Sequence, residues 1–303
     1  MINKLRVDTS EHPIHYTEPT NNSNNDKELT AEIFFELFKV PAMFSSIAGV
    51  LALFSTGRTT GLAVDSGFGK TEIFPVYHLF SLRHAIKRIS IGGSNLTSYI
   101  REEISNRNRS VFKFRSSAQF LDKVKKEDNN FYVAWDYEEE LSKLKKRNSE
   151  DGKKWFELPD GDFFELGSEQ ISGPEILFRP EIIYEDFPGI HERCSKAIMG
   201  CDIDLRRYLF ANITVSGGNS AFEGFYGRLQ REISSRCPRG VRVSVKGTEP
   251  VGETSSEVRA QYAVNSAWEG GSLLSVIRPF RAAWLTRDEY LECGPGIVRR
   301  KCF

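Results

Sequence analysis

The stretch GRTTGLAVDSGFGKTEIFPVY, residues 57–77, decides the architecture. Two short apolar runs, Leu62–Val64 and Ile73–Tyr77, flank SGFGK, and apolar runs joined by a glycine-bearing turn read as a β-hairpin. Gly67 and Gly69 let the backbone of such a turn approach a ligand closely, so its N–H groups can cradle a phosphate. A second connection of this type lies far away in the sequence. Ile213–Val215 reads as a strand running into Ser216, Gly217 and Gly218, and the following helix carries Phe225, Leu229 and Ile233 on one face. Two glycine-rich strand-to-turn connections among helical patterns imply an α/β protein. Each turn taken singly is more often a plain tight turn than a ligand site.

Working outward from the hairpin, Thr20–Glu28 is polar and turn-prone, and Ile33, Phe34, Leu37 and Phe38 recur at helical spacing before Pro41. Ala42–Phe54 is predicted as a second, apolar helix. Residues 92–185 are highly charged and helical in pattern, broken by the hydrophilic run 145–154, and read as an inserted subdomain. The C-terminal region is expected to be helical and rich in aromatics, with Trp268, Phe280, Trp284 and Tyr290.

Composition excludes several classes of function. Lys plus Arg equals Asp plus Glu at 41 each, so no net field draws the chain to nucleic acid. The longest apolar stretch is too short to cross a bilayer, and MINKLRVDTSEH lacks the apolar core of a secretion signal, so neither membrane insertion nor export is expected. Five cysteines with no C-x-x-C pair indicate neither a zinc site nor a disulfide framework, and Cys302 is read as structural.

Three long blocks carry a family resemblance. Residues 41–100, with GRTTG before DSG, residues 189–233, with SGGNSAF, and residues 266–303, ending in GPGIVRRKCF, each resemble the corresponding part of actins. The resemblance implies the two-lobed fold shared by actin, Hsp70 and hexokinase ATPases, with the N-terminal part of the first lobe, its phosphate loop and its subunit-gripping loop missing, through true shortening or an incomplete gene model. No homopolymer is expected of such a chain. The expected division is 1–55 with 265–303 as the remainder of one lobe, 56–91 with 186–264 as the core of the other, and 92–185 as the insertion.

By the same resemblance, Asp65, Ser66, Gly67 and Gly69 occupy the surviving phosphate hairpin, with Asp65 holding the water shell of a Mg or Ca ion. Gly217 and Gly218 stand near the ribose and phosphates of ATP or ADP, Phe222 takes the place of an adenine-contacting aromatic, and Lys126 and Glu127 are the candidate Lys-Glu pair. Four positions depart from the pattern. Phe68 replaces an acidic residue at the metal's water shell, Ala48 replaces the glutamine that orients the attacking water, Glu72 replaces a histidine and adds negative charge, and Val264 replaces a lysine. The resemblance therefore implies nucleotide binding with impaired hydrolysis and no catalytic residue.

Phe54, Gly57, Thr59, Phe80, Leu274 and Ile277 align with the apolar groove that receives the helices of actin-binding proteins, while Glu269, Pro279 and Arg281 differ nearby. The expected role is a cytoplasmic cytoskeletal or complex-scaffold subunit whose partners are actin-family subunits and actin-binding proteins. The alternatives are a working, filament-forming ATPase and a nuclear actin-related subunit of a chromatin complex.

Overall fold

The computed structural model describes residues 7–107, 124–125, 130–147, 154–157, 163–183, 186–248 and 255–301. The chain divides into two compact units, residues 1–57 with 266–303 and residues 58–265.

The first unit opens with β1 (Ile14–Glu18), helix α1 (Asn24–Glu32) and a π turn over Ile33–Leu37, then β2 (Ala42–Ile47) and helix α2 (Ala48–Ser55). Ser23 starts α1 by accepting the Asp26 amide at 3.1 Å, which satisfies one of the otherwise unpaired N–H groups at the helix start. The sequence predicts one helix over 42–54, and its first half is instead a strand. Met43, Ser45 and Ile47 are buried, and Ala42, Phe44 and Ser46 are half-buried, so the alternation of a strand is present without a wet face to reveal it.

The second unit begins with β3 (Gly61–Ser66) and β4 (Thr71–Tyr77), followed by β5 (Phe80–Ser81), β6 (Lys87–Ile89) and helix α3 (Gly93–Arg107). Helix α4 (Tyr137–Arg147), the hairpin β7 (Lys154–Glu157) and β8 (Phe163–Leu166), and helix α5 (Glu169–Glu175) come next. Helices α6 (Ile190–Met199) and α7 (Ile203–Ala211) lead into β9 (Ile213–Ser216), helix α8 (Phe225–Arg236) and β10 (Val245–Lys246). Helix α9 (Ser256–Val276) carries the chain back to the first unit, which ends with β11 (Leu285–Thr286), α10 (Arg287–Cys293) and α11 (Val298–Lys301).

Two sheets organise these elements. In the first unit the order is β1-β2-β11, with β1 parallel and β11 antiparallel to β2. Its core gathers Ala31, Phe35, Met43, Leu285, Tyr290 and Val298, with Phe35 stacked on Tyr290 at 4.6 Å between centroids. Within this unit α9 lies directly against α2. A Cβ at Gly270 would stand 1.9 Å from the Leu51 carbonyl oxygen, so only glycine permits that approach. In the second unit the order is β10-β9-β3-β4-β5, with β6 paired to β4. Phe225, Leu229 and Ile233 are all fully buried against Leu62, Val64, Ile73 and Val215, which is the helix face read from the sequence.

His191 on α6 is enclosed in this second core. Its ring lies near Phe178 at 6.0 Å, and Nδ1 has no hydrogen-bond partner among the described residues. Burial first, then the nearby Arg236 and Arg228, push its pKa down to about 4, against the pull of Glu232 and Glu192. A histidine whose folded pKa lies below its unfolded one stabilises the fold fully above pH 6.5 and loses that contribution as pH falls through this range. Urea unfolding of wild type and His191→Leu is expected to show their stability difference moving toward the variant by about 2–3 kcal/mol between pH 7 and pH 4.5. A pH-independent difference would refute the buried neutral imidazole.

Candidate functional site

The site is built on the second unit at the adjoining ends of β3, β4 and β9. Strand β3 pairs antiparallel with β4, Ser66 opposite Thr71, and parallel with β9, Asp65 opposite Ser216. The hairpin tip 67–70 and the Gly217 turn therefore leave the sheet side by side, which brings two loops from distant parts of the sequence to one end of the sheet.

Backbone and side-chain bonds fix the hairpin tip. The Gly67 amide donates to the Lys70 carbonyl at 3.0 Å, closing the turn. The Gly67 and Phe68 carbonyls accept from the Gly93 and Ser94 amides at 3.0 and 2.8 Å, so the N-terminus of α3 is satisfied by the turn itself. Asn219 Nδ2 clamps the same turn from the other loop, donating to Ser66 Oγ at 3.1 Å and to the Gly67 carbonyl at 2.8 Å. Ser66 Oγ meets Thr71 Oγ1 at 2.9 Å, and Thr71 donates to the Ile91 carbonyl. Two glycines allow this packing. A Cβ at Gly92 would lie 2.5 Å from the Phe68 carbonyl oxygen, and Gly217, at φ +85°, would place one 2.3 Å from that of Ser66. Nothing lies within 4 Å of a Cβ built at Gly69, so this side of the tip is open.

Asp65 is the carboxylate nearest the Gly217 turn, accepting from Ser216 Oγ at 3.3 Å. Burial raises its pKa above the usual carboxylate range and Glu72 adds to that, while the Ser216 bond and Lys70 oppose it. Glu72 is not the bare negative charge the sequence suggests. Its Oε2 is held by Lys70 and its Oε1 by Arg88, both at 2.8 Å.

The family model described as Actin matches the chain over residues 1–303. The chain belongs to the actin family. Its mixed α/β structure is that of an actin-like fold, and members of the family usually bind ATP or ADP with a divalent metal.

Of the residues aligned with actin's nucleotide site, the structure brings together Asp65, Ser66, Gly67, Gly69, Gly217 and Gly218. Phe222 packs partly into the cores around Phe225 and Phe131, so some of its ring serves the fold. Lys126 and Glu127 lie outside the described residues. Val264 is 62% exposed, and its Cγ2 would stand 3.9 Å from a Cβ on Gly218, leaving a methyl group and no charge beside that turn. Ala48 is half-buried in the first turn of α2 and brings only a methyl group.

The groove residues divide between the units: Phe54, Gly57, Leu274 and Ile277 in the first, Thr59 and Phe80 in the second. Leu274 is buried, whereas Phe80 and Ile277 are exposed. Sequence reading missed Asn219, Gly92, Gly93, Lys70 and Arg88. The GG pair before Ser94 and Asn95 was the available signal for the first helix contact, since paired glycines mark close backbone approach.

The donor set separates the two groups an actin usually carries. A polyphosphate fits, because the tip offers open backbone at Gly69 with Lys70 beside it. A divalent cation fits poorly. Phe68 presents an exposed ring beside the hairpin glycines, both Glu72 oxygens are engaged by cations, and Asp65 alone, with Oδ1 accepting from Ser216, remains to face a metal's water shell. Among the described residues no group of three or more His, Cys, Asp or Glu could hold a metal ion.

Proposed function

We propose that this actin-family chain is a structural subunit, a cytoskeletal or complex-scaffold component in the cytoplasm, that holds a nucleoside polyphosphate as a ligand and hydrolyses it poorly. The observation that carries this reading is Phe68, exposed at the tip of an otherwise ordered phosphate hairpin. Phosphoryl transfer requires a positioned water and neutralised charge on the transferring group, and a phenyl ring supplies neither. Ala48 points the same way, since a methyl group cannot orient a water molecule.

In this reading the hairpin binds and orients the phosphates through backbone at Gly67 and Gly69, Gly217 and Gly218 border the sugar, and no residue activates the nucleophile. The nucleotide is held as a ligand and supplies no chemistry. The exposed side chains of Phe80 and Ile277 suit contacts with actin-family subunits and with helices of actin-binding proteins.

Phosphate release from ATP, measured alongside bound-nucleotide content, tests the proposal. The wild-type chain is expected to bind ATP and to release phosphate at least about tenfold more slowly than an Ala48→Gln/Phe68→Asp variant. Wild-type turnover equal to that of the double variant would overturn it.

A further inference from the structure

The hairpin tip carries one carboxylate between two cations. Asp65 and Glu72 stand directly opposite in the β3–β4 register, a like-charge pair that opposes strand pairing. Glu72 also faces Arg88 across β4 and β6, and Lys70, in the turn just before β4, closes on it from the other side. Arg88 alone neutralises Glu72. Lys70, with 42% of its side chain exposed, can therefore turn to a stronger anion without leaving a buried carboxylate unpaired.

The backbone beside it is already aimed. A trans peptide points its C=O and N–H in opposite directions. The Gly67 carbonyl is spent on Gly93 and Asn219, and the Phe68 carbonyl on Ser94, so the amides of Phe68 and Gly69 face away from α3 and Asn219. Neither amide has a hydrogen-bond partner among the described residues. Two unspent amides, an open glycine and a movable ammonium make an anion cradle with its own countercharge.

We propose that this tip binds the polyphosphate of its nucleotide without a divalent cation, the Lys70 ammonium neutralising the charge that a metal ion would otherwise carry. This rests on the nucleotide-binding reading above and goes beyond it in naming what replaces the metal. Lys70 adds a unit charge at a site where Phe68 offers a metal no oxygen and Arg88 keeps Glu72 neutralised.

Calorimetric titration of the full chain with ATP, in excess EDTA and in millimolar Mg, tests the proposal. The affinities are expected to agree within about threefold, since a unit charge fixed at the site does the work in both solutions. Lys70→Val is expected to weaken ATP binding in EDTA at least about tenfold, and Lys70→Arg to retain most of it. Inorganic tripolyphosphate in EDTA is expected to compete with ATP for the wild-type chain, which assigns the effect to phosphate rather than to the base. ATP binding only when Mg is present, or an unaltered Lys70→Val affinity with unchanged melting temperature, would overturn the Lys70 assignment while leaving the nucleotide reading standing. No binding in either solution would overturn that reading and this one with it.

Discussion

Gly217→Ala is expected to cost about 4 kcal/mol or more of folding stability and to abolish ATP binding, an effect at the far end of what single substitutions produce. Gly217 has φ +85° and ψ 155°, a region essentially closed to residues with a side chain, which alone accounts for about 1–3 kcal/mol. Its added Cβ would also lie 2.3 Å from the Ser66 carbonyl oxygen and 2.7 Å from Asp65 Oδ1, and backbone in the middle of a sheet cannot yield. The turn would have to move off β3, taking Asn219 and its two bonds to the hairpin with it. Gly240→Ala is the matched control, because Gly240 has φ +80° and nothing within 4 Å of an added Cβ. That variant is expected to lose about 1–2 kcal/mol, the conformational strain alone. Denaturant unfolding of the two proteins separates strain from collision, and equal losses would sink the collision argument.

The hairpin and the strand before Gly217 were legible in the sequence because their apolar runs are short, bounded by glycine and buried on a single core. Strand β2 was not. AMFSSI has neighbours on both edges, and its outward positions Phe44 and Ser46 are themselves covered, Phe44 by Phe280 and His15, and Ser46 by a bond to His15 Nε2. A strand without a wet face shows no period of two, and its run into α2 looks like one apolar helix. Strand β1 was hidden for a related reason, since its pairing with β2 joins segments that no local pattern links.

The candidate site divides in the same way. Residue types announced the glycines and the missing acid at Phe68. The charge state of the tip depends on β4 lying beside β6, which puts Arg88 on Glu72 sixteen positions away, and its shape on Asn219 crossing from another loop. Pairing across strands creates these contacts, so a reading that assigns Glu72 by alignment alone gets its residue right and its electrostatics wrong. The same pairing offsets the negative charge that a glutamate brings to this position, since the fold supplies two cations for one carboxylate.

Arg228→Met is the second large effect expected, about 3–5 kcal/mol at pH 8.5, because it leaves the Glu175 carboxyl inside the second unit without its cation, to ionise unpaired or hold its proton against the solution pH. Glu175 is fully buried, and Arg228 reaches it with Nη2 at 3.1 Å and Nη1 at 3.4 Å while donating to the Ala134 carbonyl at 2.7 Å and to Glu232 at 3.0 Å. The guanidinium also lies over the Phe178 ring at 5.3 Å. Burial pushes the Glu175 carboxyl up to about 7, against the pull of Arg228. A raised carboxyl stabilises the folded chain at acid pH, where it is protonated in both states, and that contribution is lost as pH climbs from 4.5 to about 7. Without Arg228 the carboxyl rises further, so the penalty of the variant is expected to be level below pH 6 and to grow above pH 7 by at most about 1.4 kcal/mol per pH unit. Adding Glu175→Leu removes the stranded charge, and the double variant is expected to recover at least about half of the loss and to show no such slope. Urea unfolding at pH 6, 7 and 8.5 provides the comparison. A single-variant penalty that ignores pH, or a double variant no more stable than Arg228→Met, would show that Arg228 acts through its packing on Phe178 and its bond to Ala134 rather than through the buried pair.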